Sequence, residues 1–255
     1  MRVRILGSGT SSGVPRIGND WGDCDPTNPK NRRTRASILI ETERTRILVD
    51  TSPDLREQLL RANVADVDAV LWTHDHADHC HGIDDLRQLY HARGRPVEVY
   101  ARSQVLASLG QRFAYAFEGK GEYPPTVSGN VLPDRLTIGD IAVLTVVQPH
   151  GSITSAGFRF EAAGRAICYS TDVNGLTDQM EQGFSRCDIW VVDALRRKPH
   201  PSHPHLAMTL GWIDRVKPHR AVLTHMDQSM DYETLRAELP AHIVPGWDGM
   251  VLETT

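Results

Sequence analysis

The chain has little that would set it apart from an ordinary globular protein, and each shortage narrows its class. Among 255 residues there are only four cysteines, Cys24, Cys80, Cys168 and Cys187, and none forms a C-x-x-C pair. That scatter argues against a disulfide framework and predicts reduced thiols in a cytoplasmic protein. No apolar run approaches the roughly 18 residues of a membrane span. The opening MRVRILGSGT lacks the apolar stretch of a secretory signal. Net charge is −4, too small for a field that draws in nucleic acid. Low-complexity tracts and short repeats are absent as well.

What is present is a balanced composition, 40% hydrophobic and 24% charged, which predicts a sizeable buried core. The length suits one large domain or two small ones, and a single domain over residues 1–255 is expected. Strand-like and helix-like segments alternate. Val3 to Leu6 reads as a strand entering the loop GSGTSSG, and residues 18–36 read as a long polar surface loop. SILIE (37–41) and RILVD (46–50) read as a hairpin. Residues 53–64 carry Leu55, Leu59, Leu60 and Val64 at helical spacing. AVLWT (69–73) is a short apolar strand, followed by a helix from about 83 to 92. Further strands are expected at 97–101, 141–147, 157–161, 166–170, 188–194 and 220–224, with helices near 103–113, 206–216 and 232–239. Residues 117–134 read as a second long loop, a candidate lid. Two basic clusters, Lys30, Arg32, Arg33 and Arg35, then Arg196, Arg197 and Lys198, read as solvated loops.

Four histidines and two aspartates are packed into residues 74–81 (HDHADHCH), directly after AVLWT. A lone histidine there would read as a solvated residue. His74, His76, Asp78 and His79 together offer more ligands than one tetrahedral ion needs, so the spacing points to a pair of metals. Three other strands also run into coordinating residues: His150 after IAVLTVVQP, Asp172 after AICYST and His225 after RAVLT. Four such strand ends predict one shared sheet edge and one site. Five imidazoles and two carboxylates could be shared by two divalent ions, with Asp172 bridging them. Manganese or zinc suits this set, and iron is compatible.

The H-x-H-x-D-H motif with a downstream His, Asp and His resembles the metallo-β-lactamase superfamily over nearly the whole chain. The resemblance implies an α/β fold, a four-layer αβ/βα sandwich of two mixed sheets flanked by helices. It assigns His74, His76 and His150 to one ion, Asp78, His79 and His225 to the other, and Asp172 to both. Asp50, at the end of RILVD, matches an aspartate that orients the metal loop. ILGSGTSSGVP is similar to the opening of tRNase Z and of PhnP-type phosphodiesterases. VVDALRRKPHPSHPHLAMTLGWI resembles a PhnP-type segment that places His203 at the catalytic histidine, with His200 and His205 as flanking groups.

The expected activity is therefore hydrolysis of a small phosphodiester, such as a cyclic ribose or nucleotide-like compound, by in-line attack of a metal-bridging hydroxide. Asp78 and His203 are the catalytic candidates, and Ser11, Ser12 and His203 the candidates for holding phosphate. Alternatives are a tRNase Z-like nuclease, a thioester or lactone hydrolase, or a metal-binding accessory protein without turnover. Nucleic acid is not the favoured partner, because no long tRNA-grasping insertion is present. A homodimer is expected from the resemblance. One departure stands out: where PhnP-type enzymes carry a cysteine-rich zinc loop, residues 18–36 have only Cys24, so no structural zinc is expected there. Cys80 is expected to be a buried small side chain.

Overall fold

The computed structural model describes residues 1–254. Most of the first sheet comes from β1 (Arg2–Gly7), β2 (Ser37–Glu41), β3 (Arg46–Val49), β4 (Ala69–Leu71), β5 (Val97–Ala101) and β6 (Val127–Val131). Helices α1 (Leu55–Ala62), α2 (Ala77–Cys80), α3 (Leu86–Arg93), α4 (Ser103–Arg112) and α5 (Ala114–Glu118) interrupt it. The second sheet holds β7 (Arg135–Ile138), β8 (Ile141–His150), β9 (Ile153–Ala162), β10 (Arg165–Ser170), β11 (Ile189–Asp193), β12 (Arg220–Thr224) and β13 (Ile243–Pro245). Its helices are α6 (Asp178–Phe184), α7 (Leu206–Val216) and α8 (Tyr232–Glu238). The final strand, β14 (Val251–Glu253), returns to pair antiparallel with β1. The orders are β14-β1-β2-β3-β4-β5-β6 and β13-β12-β11-β10-β9-β8-β7, both mixed.

Both faces of each central strand are buried, which explains their continuous apolar runs. Ile38, Ile40, Ile47 and Val49 face inward and meet Phe158, Phe160, Ile167 and Val191 from the other sheet. Their neighbours Leu39 and Leu48 point outward, onto Leu55, Leu59 and Leu86 of the helical layer. In the second sheet Trp190 and Val192 point outward in the same way, against Phe184, Trp212 and Leu235. This is the alternation of side chains along a strand, expressed as two outer cores and one central core. The helices are bounded by ordinary signals. Thr177 and Asp231 cap α6 and α8, accepting from the amides of Met180 and Thr234. Asn63 ends α1 in the left-handed conformation that asparagine tolerates.

Two expectations need correction. The segment 117–134 is not one long loop: α5 runs to Glu118, and Val127–Val131 forms β6, paired parallel to β5 as the sheet's edge. Its polar composition reflects that edge position, where one side lacks a partner strand. Arg33 is not solvated but 2% exposed. Its guanidinium donates to the carbonyls of Asp227 (3.3 Å) and Met230 (2.6 Å) and to Asn31 Oδ1 (3.3 Å). Cys24 Sγ lies 3.8 Å from the same guanidinium. Residues 18–36 are thus fastened to the 227–231 segment by polar contacts.

Candidate metal centre

Parallel pairing brings strand ends to one edge. β3 pairs parallel with β4, and β10, β11 and β12 pair parallel with one another. Immediately beyond these strands come Asp50, Thr73 and His74, Asp172, and His225; β11 ends on Asp193 itself and β8 ends on His150. The two sheets are joined here as well, since the amide of Ala156 donates to Thr73 O at 2.9 Å. Asp50, Asp172 and His225 have φ of 64°, 53° and 57°. Such left-handed conformations cost a non-glycine residue roughly 1–3 kcal/mol, and they cluster where a side chain must be turned toward a site.

Asp172 lies at the centre, 2% exposed. Five imidazole Nε2 atoms face its carboxylate. Those of His74, His150 and His203 lie 3.7, 3.5 and 3.7 Å from Oδ1. Those of His79 and His225 lie 3.0 and 3.5 Å from Oδ2. Asp78 Oδ2 sits 3.3 Å from His79 Nε2 and 3.5 Å from His225 Nε2. His76 completes the first side, its ring 4.5 Å from that of His74 and 5.2 Å from that of His150.

The opposite nitrogens are held from behind. His79 Nδ1 bonds Asp50 Oδ2 at 2.8 Å, and Asp50 is itself fixed by the amide of Thr73. His150 Nδ1 donates to Ser202 O at 2.9 Å, and His74 Nδ1 pairs with Thr73 Oγ1 at 2.9 Å. His203 Nδ1 bonds Asp193 Oδ2 at 2.9 Å, and the same oxygen accepts from the Asp172 amide. Each of these four rings is therefore oriented with Nε2 inward.

Burial and mutual charge pull the groups in opposite directions. Burial depresses His74 strongly, aided by the charge of His79, and burial also lowers His150. Burial works against protonation of His225 too, yet Asp172, Asp193 and Asp78 raise it to about 9. The same balance lifts His79, beside Asp172, Asp78 and Asp50. Asp172 resists the upward push of burial because His225, His79 and His74 surround it, and it stays well below the usual carboxylate range.

The donor set fits divalent cations. Nε2 of His74, His79 and His225 is buried without a hydrogen-bond partner, a costly arrangement unless an electron-pair acceptor takes up the lone pairs. Donor atoms of His74, His76, His150 and Asp172 lie within 4.8 Å of one another, as do those of Asp78, His79 and His225. A third such group joins Asp172, Asp193, His203 and His225.

The seven residues expected to converge do so, and His203 joins them. Ser11 and Ser12 lie exposed on a turn that follows Thr10, whose amide donates to Met226 O, next to His225, and neither forms a hydrogen bond to a residue of the cluster. His200 packs edge-on to His203 at 5.2 Å, while His205 precedes α7 and bridges to Arg196. Cys80 faces Asp75 O rather than the cluster, and burial pushes its thiol up to about 11. Asp193, Thr73 and Ser202 support the rings from behind without any mark in the sequence of that role. Asp193 obeys the same strand-end rule that marks Asp172, but Ala-Leu follows it, so no polar break announces it.

A family model described as a beta-lactamase superfamily domain matches residues 45–226. The crystal structure of a diphosphatase from the PhnP family superposes with a TM-score of 0.90 at 33% identity, covering 99% of this chain and 97% of that one. An octanoyltransferase of Porphyromonas gingivalis is 35% identical over 98% of this chain and 51% of its own length. Ribonuclease Z of Methanopyrus kandleri is 30% identical over 52% of this chain and 46% of its own. The chain thus spans about half the length of the curated relatives it matches.

Proposed function

The chain belongs to the β-lactamase superfamily of hydrolases, on its PhnP and tRNase Z branch, and from that premise we propose a dinuclear metal-dependent phosphodiesterase acting on a small phosphodiester. The observation that carries this reading is the division of imidazoles between the two oxygens of Asp172. His74, His76 and His150 would hold one ion, Asp78, His79 and His225 the other, and Asp172 both. Divalent metals bound there would supply Lewis acidity, acidifying water and offsetting charge on the phosphoryl oxygens.

The chain's own groups do the rest. Asp50, Thr73 and Ser202 keep Nε2 of His79, His74 and His150 turned inward. Asp193 accepts the Nδ1 proton of His203, which leaves Nε2 of His203 facing the cleft. From there protonated His203 gives its proton to the departing alkoxide or holds a phosphoryl oxygen. Asp78, its side chain 12% exposed beside the buried rings of His79 and His225, would accept a proton from the attacking water. Ser11 and Ser12, on the exposed turn before Gly13, would offer hydroxyls to the substrate phosphate.

A nuclease is the second reading, favoured by the similarity to a ribonuclease Z over half the chain. The test is a substrate panel on protein loaded with manganese or zinc. It compares bis(p-nitrophenyl) phosphate with a thioester, a lactone, a β-lactam and a 3′-extended tRNA. Diester turnover well above the other four is expected. Cleavage of tRNA alone would select the nuclease; hydrolysis of thioester or lactone alone, or of nothing, would remove phosphodiesters from consideration.

A further inference from the structure

The ring of His200 packs edge-on against that of His203 at 5.2 Å. His203 in turn packs at 4.9 Å on His150 and at 4.8 Å on His225. His200 is thus the next imidazole outward from the cluster, partly exposed where His74, His79, His150 and His225 are buried.

Its direction is fixed by Ser202. The Ser202 amide donates to His200 Nδ1 at 3.3 Å, and the Ser202 hydroxyl lies 3.3 Å from the same nitrogen. The carbonyl of Ser202 accepts from His150 Nδ1. One residue therefore ties His200 to the His74–His76–His150 side of the site. An amide N–H can only donate, so His200 Nδ1 is an acceptor and the ring carries its proton on Nε2. Burial, with the charges of His203 and Arg196, also lowers the affinity of this ring for a second proton. Both hydrogen bonds of the ring are made at Nδ1, which leaves Nε2–H without a partner among the described residues.

The two histidines of PHPSH (199–203) are wired oppositely. Behind His203 stands a carboxylate oxygen, Asp193 Oδ2, at 2.9 Å from Nδ1. Behind His200 stand an amide and a hydroxyl. A ring backed by an acceptor can hold protons on both nitrogens and release one. A ring backed by an amide donor holds one proton and keeps it.

Resting on the phosphodiesterase reading, we propose that His200 is a substrate-binding residue whose Nε2–H donates to a non-bridging oxygen of the bound phosphoryl group. That duty frees His203 to give its proton to the departing alkoxide. A neutral donor of fixed tautomer holds an anionic oxygen without surrendering a proton to it.

The experiment separates the two ring nitrogens. His200→Gln sets an amide N–H near the position of Nε2 and abandons Nδ1. His200→Asn does the reverse, keeping an acceptor for the Ser202 amide and giving up the outer donor. Both variants are expected to retain the metal content of the unsubstituted protein. With bis(p-nitrophenyl) phosphate, His200→Asn is expected to lose about tenfold or more in kcat/KM, the usual worth of one hydrogen bond to a charged group, while His200→Gln stays within about threefold. A ring that merely braces Ser202 would give the opposite order. Binding of inorganic phosphate to the same metal-loaded proteins, followed by calorimetry, should weaken more in His200→Asn than in His200→Gln. That order in the absence of diester turnover would uphold the donor and remove only the phosphodiesterase reading. Equal or reversed ranks in either measurement, metal lost in step with activity, or no phosphate binding by the unsubstituted protein would overturn it. So would an Nδ1–H signal from His200 in nuclear magnetic resonance spectra of protein carrying nitrogen-labelled histidine.

Discussion

Asp193 Oδ2 accepts the Nδ1 proton of His203 at 2.9 Å and, at 3.0 Å, the amide of Asp172. One buried carboxylate thus aligns the proposed proton donor with the residue at the centre of the cluster. The same carboxylate also stands beside His225, whose Nδ1 lies 4.0 Å from Asp193 Oδ1 and whose ring stacks on that of His203 at 4.8 Å.

His203→Ala is expected to lower diester hydrolysis about 10²- to 10⁴-fold, the usual worth of general acid–base catalysis. Metal content should be retained. Asp193→Asn is expected to act in the same direction, because an amide can donate to Nδ1 and so reverse the ring's tautomer. The loss should fall on kcat rather than KM, since the proton moves only in the transition state. Elemental analysis and steady-state kinetics decide the matter; loss of metal in step with activity would leave His203 a ligand instead.

Asp172→Ala removes the carboxylate that faces five imidazoles. The variant is expected to retain less than one ion per chain by mass spectrometry and to lose measurable turnover. Chelation of the unsubstituted protein should produce the same loss and lower Tm, because a ligand held at about 100 times its Kd adds about 2.7 kcal/mol to the folded state. A melting curve indifferent to chelator and metal would contradict a bound cation.

Arg33→Met keeps the volume but strips the donors from the carbonyls of Asp227 and Met230. The expected destabilisation is about 2–4 kcal/mol, from buried acceptors left unpaired. Urea unfolding measures it. A change below about 0.5 kcal/mol would show that water replaces the guanidinium and that the 18–36 loop is fastened elsewhere.

Asp231 caps α8 and also accepts from Asn31 Nδ2 (2.7 Å) and the Asp25 amide (3.2 Å). Burial alone would raise its pKa. The hydrogen bonds from the amides of Thr234 and Asp25 and from Asn31 outweigh that and lower it from 3.8 to about 2. A depressed folded pKa stabilises fully above the unfolded value, and the stability is lost as pH falls through the folded one. Between about pH 4 and pH 2 the unsubstituted protein should therefore lose stability faster than Asp231→Asn. Solvent screening keeps the difference within roughly 1 kcal/mol. Parallel urea midpoints of the two proteins across that window would refute this cause.

Much of the architecture is legible in residue order. The apolar runs at 37–41, 46–49, 189–193 and 220–224 are strands because both faces of each are covered, and continuous apolarity is what that burial demands. The strands that escape such reading are β6, β7, β13 and β14, which lie at sheet edges and so carry mixed residues, and the short helices α2, α5 and α6 escape it too, being too brief to show a helical period. Arg33 escapes for another reason. Nothing local distinguishes it from Lys30, Arg32 and Arg35; the carbonyls that bury it come from residues 227–230, about two hundred positions away.

Asp50 and His203 are marked by the family resemblance, whereas His74, His76, Asp78, His79, His150, Asp172 and His225 could be named from their spacing and their positions after strands, since those are properties of a chain read in order. Which Asp172 oxygen each imidazole faces, and that Asp193 lies behind His203, could not. Those relations follow from parallel pairing of β10, β11 and β12, from the meeting of the two sheets at Thr73 and Ala156, and from the left-handed turns at Asp50, Asp172 and His225. Direction in space is a product of packing, and local sequence carries no record of it.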